Sequence, residues 1–181
     1  MATGAVPHDG WVTIHRGDPF LAPEPERSAA RRLRARLAAP VTLWTAGDAH
    51  ARAGLTVASA LVVDGAPGRL LGLVDPESEL WEVASSTGRL TMSPLASKQR
   101  HLADVFGGTA PAPGGPFRLA SWRDTAWGPV LADATSWCGG RIEAAREVGY
   151  SLLVDVEIEH VEVGDDAAAL LFYRGRYGEP A

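Results

Sequence analysis

Sulfur is scarce in this 181-residue sequence, which holds one cysteine, Cys138, and two methionines. A single cysteine excludes an internal disulfide framework and a multi-thiolate metal centre, and it fits a reducing compartment. Positive charge is not in excess either. Seventeen Lys and Arg against 22 Asp and Glu leave a net charge of -5, which excludes a general attraction to nucleic acid or to an anionic membrane. No apolar run approaches the ~20 residues a membrane helix needs. The opening MATGAVPHDG lacks a basic segment followed by an apolar one, so no secretion signal is expected and the expected location is the cytoplasm. Internal repeats, a linker between domains, a P-loop and a Ser-His-Asp order are also missing.

What remains is a soluble globular composition, 46% hydrophobic and 22% charged, in a chain long enough to close one real core. Residues 1–25 are rich in Gly and Pro and read as an irregular arm, with Trp11, Val12, Ile14 and Phe20 available for packing. The body is expected over 26–181, opening with a helix over 26–39 that carries Leu33 and Leu37 and stops at Pro40.

The organising stretch is PVTLWTAGDAHARAGLTVAS, residues 40–59. Its apolar, β-branched run 41–45 predicts a buried strand, Gly47–His50 a turn, and 54–63 a second strand. Small residues and hydroxyls on that second strand suit either a plain hairpin at a barrel end or a wall for a flat ligand. A strand follows over 69–74. Asp75 and Pro76 then stand at N-cap and N1 of a helix whose stripe is Leu80, Val83 and Ala84, ended by Thr87-Gly88. A strand over 89–95 leads to a second helix capped by Ser97, with Leu102, Val105 and Phe106 on one face. The run 107–116 is a Gly/Pro loop. Two long strands are expected over 134–146 and 150–163, and a last one over 169–173. Mostly antiparallel strands with a few short helices predict a mainly β fold, a barrel rather than a βαβ sheet.

Taken in order, GLTVAS, DPES, TGRLTMSPL, SKQRHLADVF, GPVLADATSWCGGRI, EVGYSLLV and LLFYRGRYG resemble the flavin reductase-like, FMN-binding split-barrel family over about residues 29–178. The resemblance implies a six-stranded antiparallel split β-barrel, a homodimer, and NADH- or NADPH-dependent reduction of FMN, with FAD as an alternative flavin. It also implies a monooxygenase partner that receives reduced flavin. Carried over by position, Leu55, Thr56, Val57, Ala58 and Ser59 meet the isoalloxazine and ribityl chain. Asp75, Pro76, Glu77 and Ser78 hold the phosphate. Ser93, Leu95 and Phe106 match further cofactor positions, and Arg176 is a candidate for an anionic group. Ser151 falls at the catalytic position facing the nicotinamide.

Three positions depart from the family pattern. The phosphate turn is acidic, with Asp75, Glu77 and Glu79 around Ser78. Ser93 stands where Asn is usual, and Gly149-Tyr150-Ser151 replaces Gly-Asp-His. These departures set a second reading, a split barrel without conventional reductase activity that binds another ligand or serves a biosynthetic enzyme; a deazaflavin enzyme is a third. His50, His101 and His160 are scattered, so no metal site is expected. Cys138 reads as packing, and Trp44, Trp122, Trp127 and Trp137 as core or interface aromatics with ligand stacking as the alternative.

Overall fold

The computed structural model describes residues 28–165 and 168–180. The arm expected over 1–25, with its four apolar residues, lies outside them. The chain divides into two compact units, Met1–Arg34 and Ala35–Ala181. In the first, helix α1 (Ala29–Arg34) starts where the Ser28 hydroxyl accepts the Arg31 N–H at 3.2 Å. The helix expected over 26–39 is therefore shorter. Leu33 and Leu37 are each 63% exposed, so no buried stripe carries the helix further, and Ala39–Pro40 is extended as β1.

In the second unit, β2 (Thr42–Gly47) and β3 (Arg52–Val57) form a hairpin. At its turn the Asp48 carboxylate accepts the N–H groups of His50 (2.8 Å) and Ala51 (3.1 Å), which hold its pKa below the ordinary value. The chain continues through β4 (Leu61–Val63), β5 (Arg69–Val74), α2 (Glu79–Thr87) and β6 (Arg89–Pro94). A 3-10 turn (Ser97–Gln99) leads into α3 (Arg100–Phe106), and another (Pro116–Leu119) precedes β7 (Trp122–Asp124) and β8 (Pro129–Leu131). The long strands are β9 (Ser136–Val148) and β10 (Ser151–Val163), followed by the hairpin β11 (Leu171–Tyr173) and β12 (Arg176–Gly178).

Among the described residues the main sheet has seven strands in the order β3-β2-β6-β9-β10-β5-β4, every pair antiparallel. The strand expected over 54–63 is the principal correction. It breaks at residues 58–60, and its halves take opposite ends of the sheet, so the chain itself crosses the seam of a split barrel. Ser59 stitches that crossing: its Oγ donates to the Leu73 carbonyl (3.1 Å) and accepts the Leu73 N–H (3.0 Å). The break makes the main sheet seven-stranded rather than six-stranded. Small sheets β1-β11-β12 and β7-β8 complete the unit.

Strand β2 is buried along nearly its whole length because it feeds two cores. Trp44 and Ala46 point into the barrel with Leu70, Leu80, Leu90, Val154 and Val156, whereas Leu43 joins Val41, Leu95, Phe106, Phe117 and Leu131 in a second cluster. The alternation of side chains along a strand produces this division.

Two helix starts differ from expectation. The N-cap of α2 is Ser78, whose Oγ accepts the Trp81 N–H at 3.2 Å, and Asp75 instead opens a separate turn by accepting the Glu77 N–H at 2.9 Å. The hydroxyl outcompetes the more distant carboxylate because it sits directly before the first helical residue. The helix ends as expected at Gly88, left-handed at φ 70° with its N–H on the Ala84 carbonyl. Ser97 does not cap α3; it lies inside the 3-10 turn, and Gln99 Oε1 accepts the Ala96 N–H at 2.8 Å.

Arg174 is a non-glycine residue with positive φ, 51°, followed by Gly175 at 80° in the two-residue β11–β12 turn. Both central residues of such a turn need left-handed backbone, which disfavours any residue that carries a Cβ. Relief of about 1–2 kcal/mol of left-handed strain, less the about 0.5–1 kcal/mol entropic cost of glycine, is expected to make Arg174→Gly more stable by about 0.5–1 kcal/mol in a urea melt. An unchanged or lower midpoint would show that the stacking of Arg174 over Tyr173 outweighs the backbone cost.

Candidate functional site

Sheet register assembles the sequence-predicted residues into two neighbourhoods. At one end of the barrel, Ser59 is bonded to Leu73, and β5 runs on to Val74 and the Asp75–Ser78 turn. Val74 pairs with Leu152, so Ser151, at the start of β10, lies beside that turn. Residues 57–59, 73–78 and 151 thus converge. In the second neighbourhood, Val57, Thr42 and Pro94 form one row across β3, β2 and β6. Ser93 and Leu95 flank that row, and α3 packs beside it through a hydrogen bond from Thr56 Oγ1 to the Ala103 carbonyl (2.9 Å).

Most side chains of the predicted wall are engaged by the protein. Val57 is buried in the barrel core, and Ser93, Leu95 and Phe106 are buried as well. Phe106 lies so close to β3 that a Cβ on Gly54 would sit 2.7 Å from its ring, which explains glycine there. Leu55, Thr56, Ala58 and Ser59 are half-buried, and Arg176 is exposed on β12, away from the seam in sequence and sheet. What the wall offers a ligand is backbone. Strand β3 ends the sheet and is paired on one side by β2, so its outer edge presents N–H and C=O groups of the kind that match a planar donor–acceptor edge.

The edge of β3 is the part of this wall that could hold the polar rim of a flavin ring. A terminal phosphate at 75–78 fits poorly. The N–H of Glu77 is taken by the Asp75 carboxylate and that of Trp81 by the Ser78 hydroxyl. Residues 75–87 contain four carboxylates, Asp75, Glu77, Glu79 and Glu82, and no Lys, Arg or His.

The expected aromatics are placed by packing. Trp44 fills the barrel, and Trp122 packs edge-on to Phe106 and tilted against Phe117 at centroid distances of 5.8 and 4.7 Å. Sequence reasoning missed a cluster on β10, where the His160 ring lies against Trp127 (5.2 Å) and Trp137 (4.7 Å). Gly139 makes this possible, since a Cβ there would meet the Trp127 ring at 2.7 Å. Trp127 Nε1 donates to Glu159 Oε2 at 2.6 Å. Glu162 titrates below its ordinary value, first because the Trp137 indole N–H faces it and next through Arg123, 3.2 Å away. That indole N–H makes no hydrogen bond of regular geometry among the described residues. No group of three or more His, Cys, Asp or Glu forms a metal site among the described residues.

Cys138 is buried on β9, and burial pushes its thiol from 9.0 up to about 11, against a smaller opposing effect of the Met92 backbone. At pH 8 roughly one thiol in a thousand is ionised. Iodoacetamide is expected to leave the native protein unmodified over hours and to label it fully in urea. Rapid native labelling would contradict this burial. The raised value also sets a pH limit. The contribution is complete below pH 9.0 and is lost as pH rises toward 11.

The fold and site define a split-barrel flavin-binding class. The sequence profile described as "Flavin reductase like domain" matches residues 34–181, and the chain belongs to that family. Over 152 residues it is 29% identical to the reductase component of 4-hydroxyphenylacetate 3-monooxygenase of Pseudomonas aeruginosa, covering 83% of this chain and 89% of the relative. It is 31% identical over 153 residues to the FMN reductase (NADH) RutF 1 of Methylorubrum extorquens, covering 84% and 75%. Among solved structures, the NADH:FAD oxidoreductase of Streptomyces globisporus C-1027 superposes with a TM-score of 0.76 at 21% identity, covering 89% of this chain and 97% of that one. That last likeness concerns the fold alone.

Proposed function

We propose that this chain is a flavin reductase that uses NADH or NADPH to reduce FMN and hands the reduced flavin to a separate monooxygenase. The observation that carries the reading is the family match across the whole barrel, supported by relatives at 29–31% identity named for that chemistry. Flavin, when bound, supplies the hydride acceptor. The protein's own part is to hold and orient. The edge of β3 would pair with the ring's polar rim, and backbone at 57–59 would follow the ribityl chain. Ser151 would line the nicotinamide side as a hydrogen-bonding hydroxyl, without a titratable ring.

The working form we propose is a cytoplasmic homodimer. Leu61 and Val62 on β4 are each 57% exposed, and Val161 and Val163 on β10 are 56% and 82% exposed. Val62 and Val161, with Val63 and Ile158, border an open cleft of about 440 Å³. Apolar side chains gathered on a sheet edge favour a partner surface. Val62→Lys with Val161→Lys is expected to shift the mass in light scattering from dimer to monomer. A monomeric parent protein would sink this reading.

The test of function is NADH and NADPH oxidation with FMN or FAD under argon, together with a thermal-shift scan. Flavin-dependent oxidation and a raised Tm are expected. The second reading, a barrel holding another ligand, is favoured by the acidic 75–87 segment and wins if no flavin gives either signal.

A further inference from the structure

We infer that this protein recognises its flavin by the ring and ribityl chain and takes nothing from the terminal phosphate, so that riboflavin binds as well as FMN. The inference rests on the flavin reductase reading above and on the phosphate lying near residues 75–78. A phosphate gains affinity at a helix start from free N–H groups, from the helix dipole and from neighbouring cations. At α2 these sources are diminished or opposed. The Asp75 carboxylate and the Ser78 hydroxyl occupy two of the N–H groups at the turn. The Ser78 N–H is also engaged, on the Asp75 carbonyl at 3.2 Å. The helix dipole is met by acidic side chains in the first turn, Glu79 and Glu82, and the segment 75–87 has no basic residue.

A dianionic phosphate placed there is repelled by carboxylates already held at the same positive helix end. The ring suffers no such opposition, because the edge of β3 and the 57–59 backbone are neutral. Discrimination among flavins should therefore run opposite to that of a site built around phosphate. Asp75 and Glu79 are the residues that set it.

The experiment is a fluorescence titration of the full-length protein with riboflavin and with FMN, at about 20 mM and about 500 mM NaCl. Riboflavin is expected to bind within about threefold of FMN at high salt and more tightly than FMN at low salt. Raising the salt should tighten FMN and leave riboflavin unchanged. In Asp75→Asn/Glu79→Gln, which keeps an oxygen to cap Glu77, FMN should bind about fivefold more tightly at low salt, with riboflavin unmoved. FMN binding tenfold or more tightly than riboflavin would overturn the inference and leave the reductase reading standing. If neither flavin binds, the reductase reading itself falls and the inference with it.

Discussion

Trp44→Ala is expected to lower the unfolding free energy by about 3–5 kcal/mol, a large share of the about 5–15 kcal/mol that native domains have, read from a urea melt. Trp44 is fully buried in the barrel core, among Leu70, Leu80, Leu90 and Val154. Its indole N–H donates to Thr42 Oγ1 at 3.0 Å, and that hydroxyl donates to the Val57 carbonyl at 2.7 Å. Removing the ring opens a cavity and takes a partner from a buried chain of hydrogen bonds that reaches β3. Gly72 is the other half of this contact, since a Cβ there would lie 2.6 Å from Trp44 Cη2. Gly72→Ala alone is therefore destabilising by overpacking, about 1–3 kcal/mol. In Trp44→Phe the smaller ring leaves room for that methyl, so the two changes together should cost less than their sum. Additive costs in urea melts would refute the direct contact.

Ser59→Ala is expected to weaken flavin binding about tenfold and to lower stability by about 1–2 kcal/mol. The Ser59 hydroxyl makes two hydrogen bonds to Leu73, and these join the end of β3 to β5 where no other ladder does so among the described strands. Without them the Leu73 N–H and carbonyl lose their partner, and the backbone at 57–59 that is proposed to follow the ribityl chain is no longer held. Binding is measured well below the Tm, so loss of fold does not enter. Ser59→Thr keeps the hydroxyl and should retain most of the affinity; if Ser59→Ala binds flavin as the parent does, the seam does not shape the site.

Much of the barrel could be read from the sequence because its strands carry strong local signals. The alternation along β10 and the β-branched run of β2 were sufficient, and the Gly88 stop of α2 has a local cause in its left-handed backbone. What could not be read depends on contacts far apart in sequence. Residues 54–63 look like one strand because each half is apolar, and the break appears only when Ser59 finds Leu73. Leu33 and Leu37 have helical spacing, yet both side chains are exposed and the helix stops early. The site shows the same limit. A hydroxyl or an apolar side chain at a family position gives no indication of whether it faces a ligand or the core. Ser93, Leu95 and Phe106 are buried, whereas the convergence of 59, 75 and 151 depends on strand register. The His160 aromatic cluster gave no signal, since its members are 23 and 33 residues from His160 along the chain.

The seam also sets an order of events in folding. Hairpins β2–β3 and β4–β5 join neighbours in sequence and form with little loop entropy, but their outer strands stay at opposite ends of the sheet until β6, β9 and β10 have filled the space between. Closure is therefore the last step of assembly and the first to reverse. In native-state hydrogen exchange, the Leu73 amide should exchange by a partial opening at a lower free energy than Val154 or Val156, whose amides wait for the whole sheet to come apart.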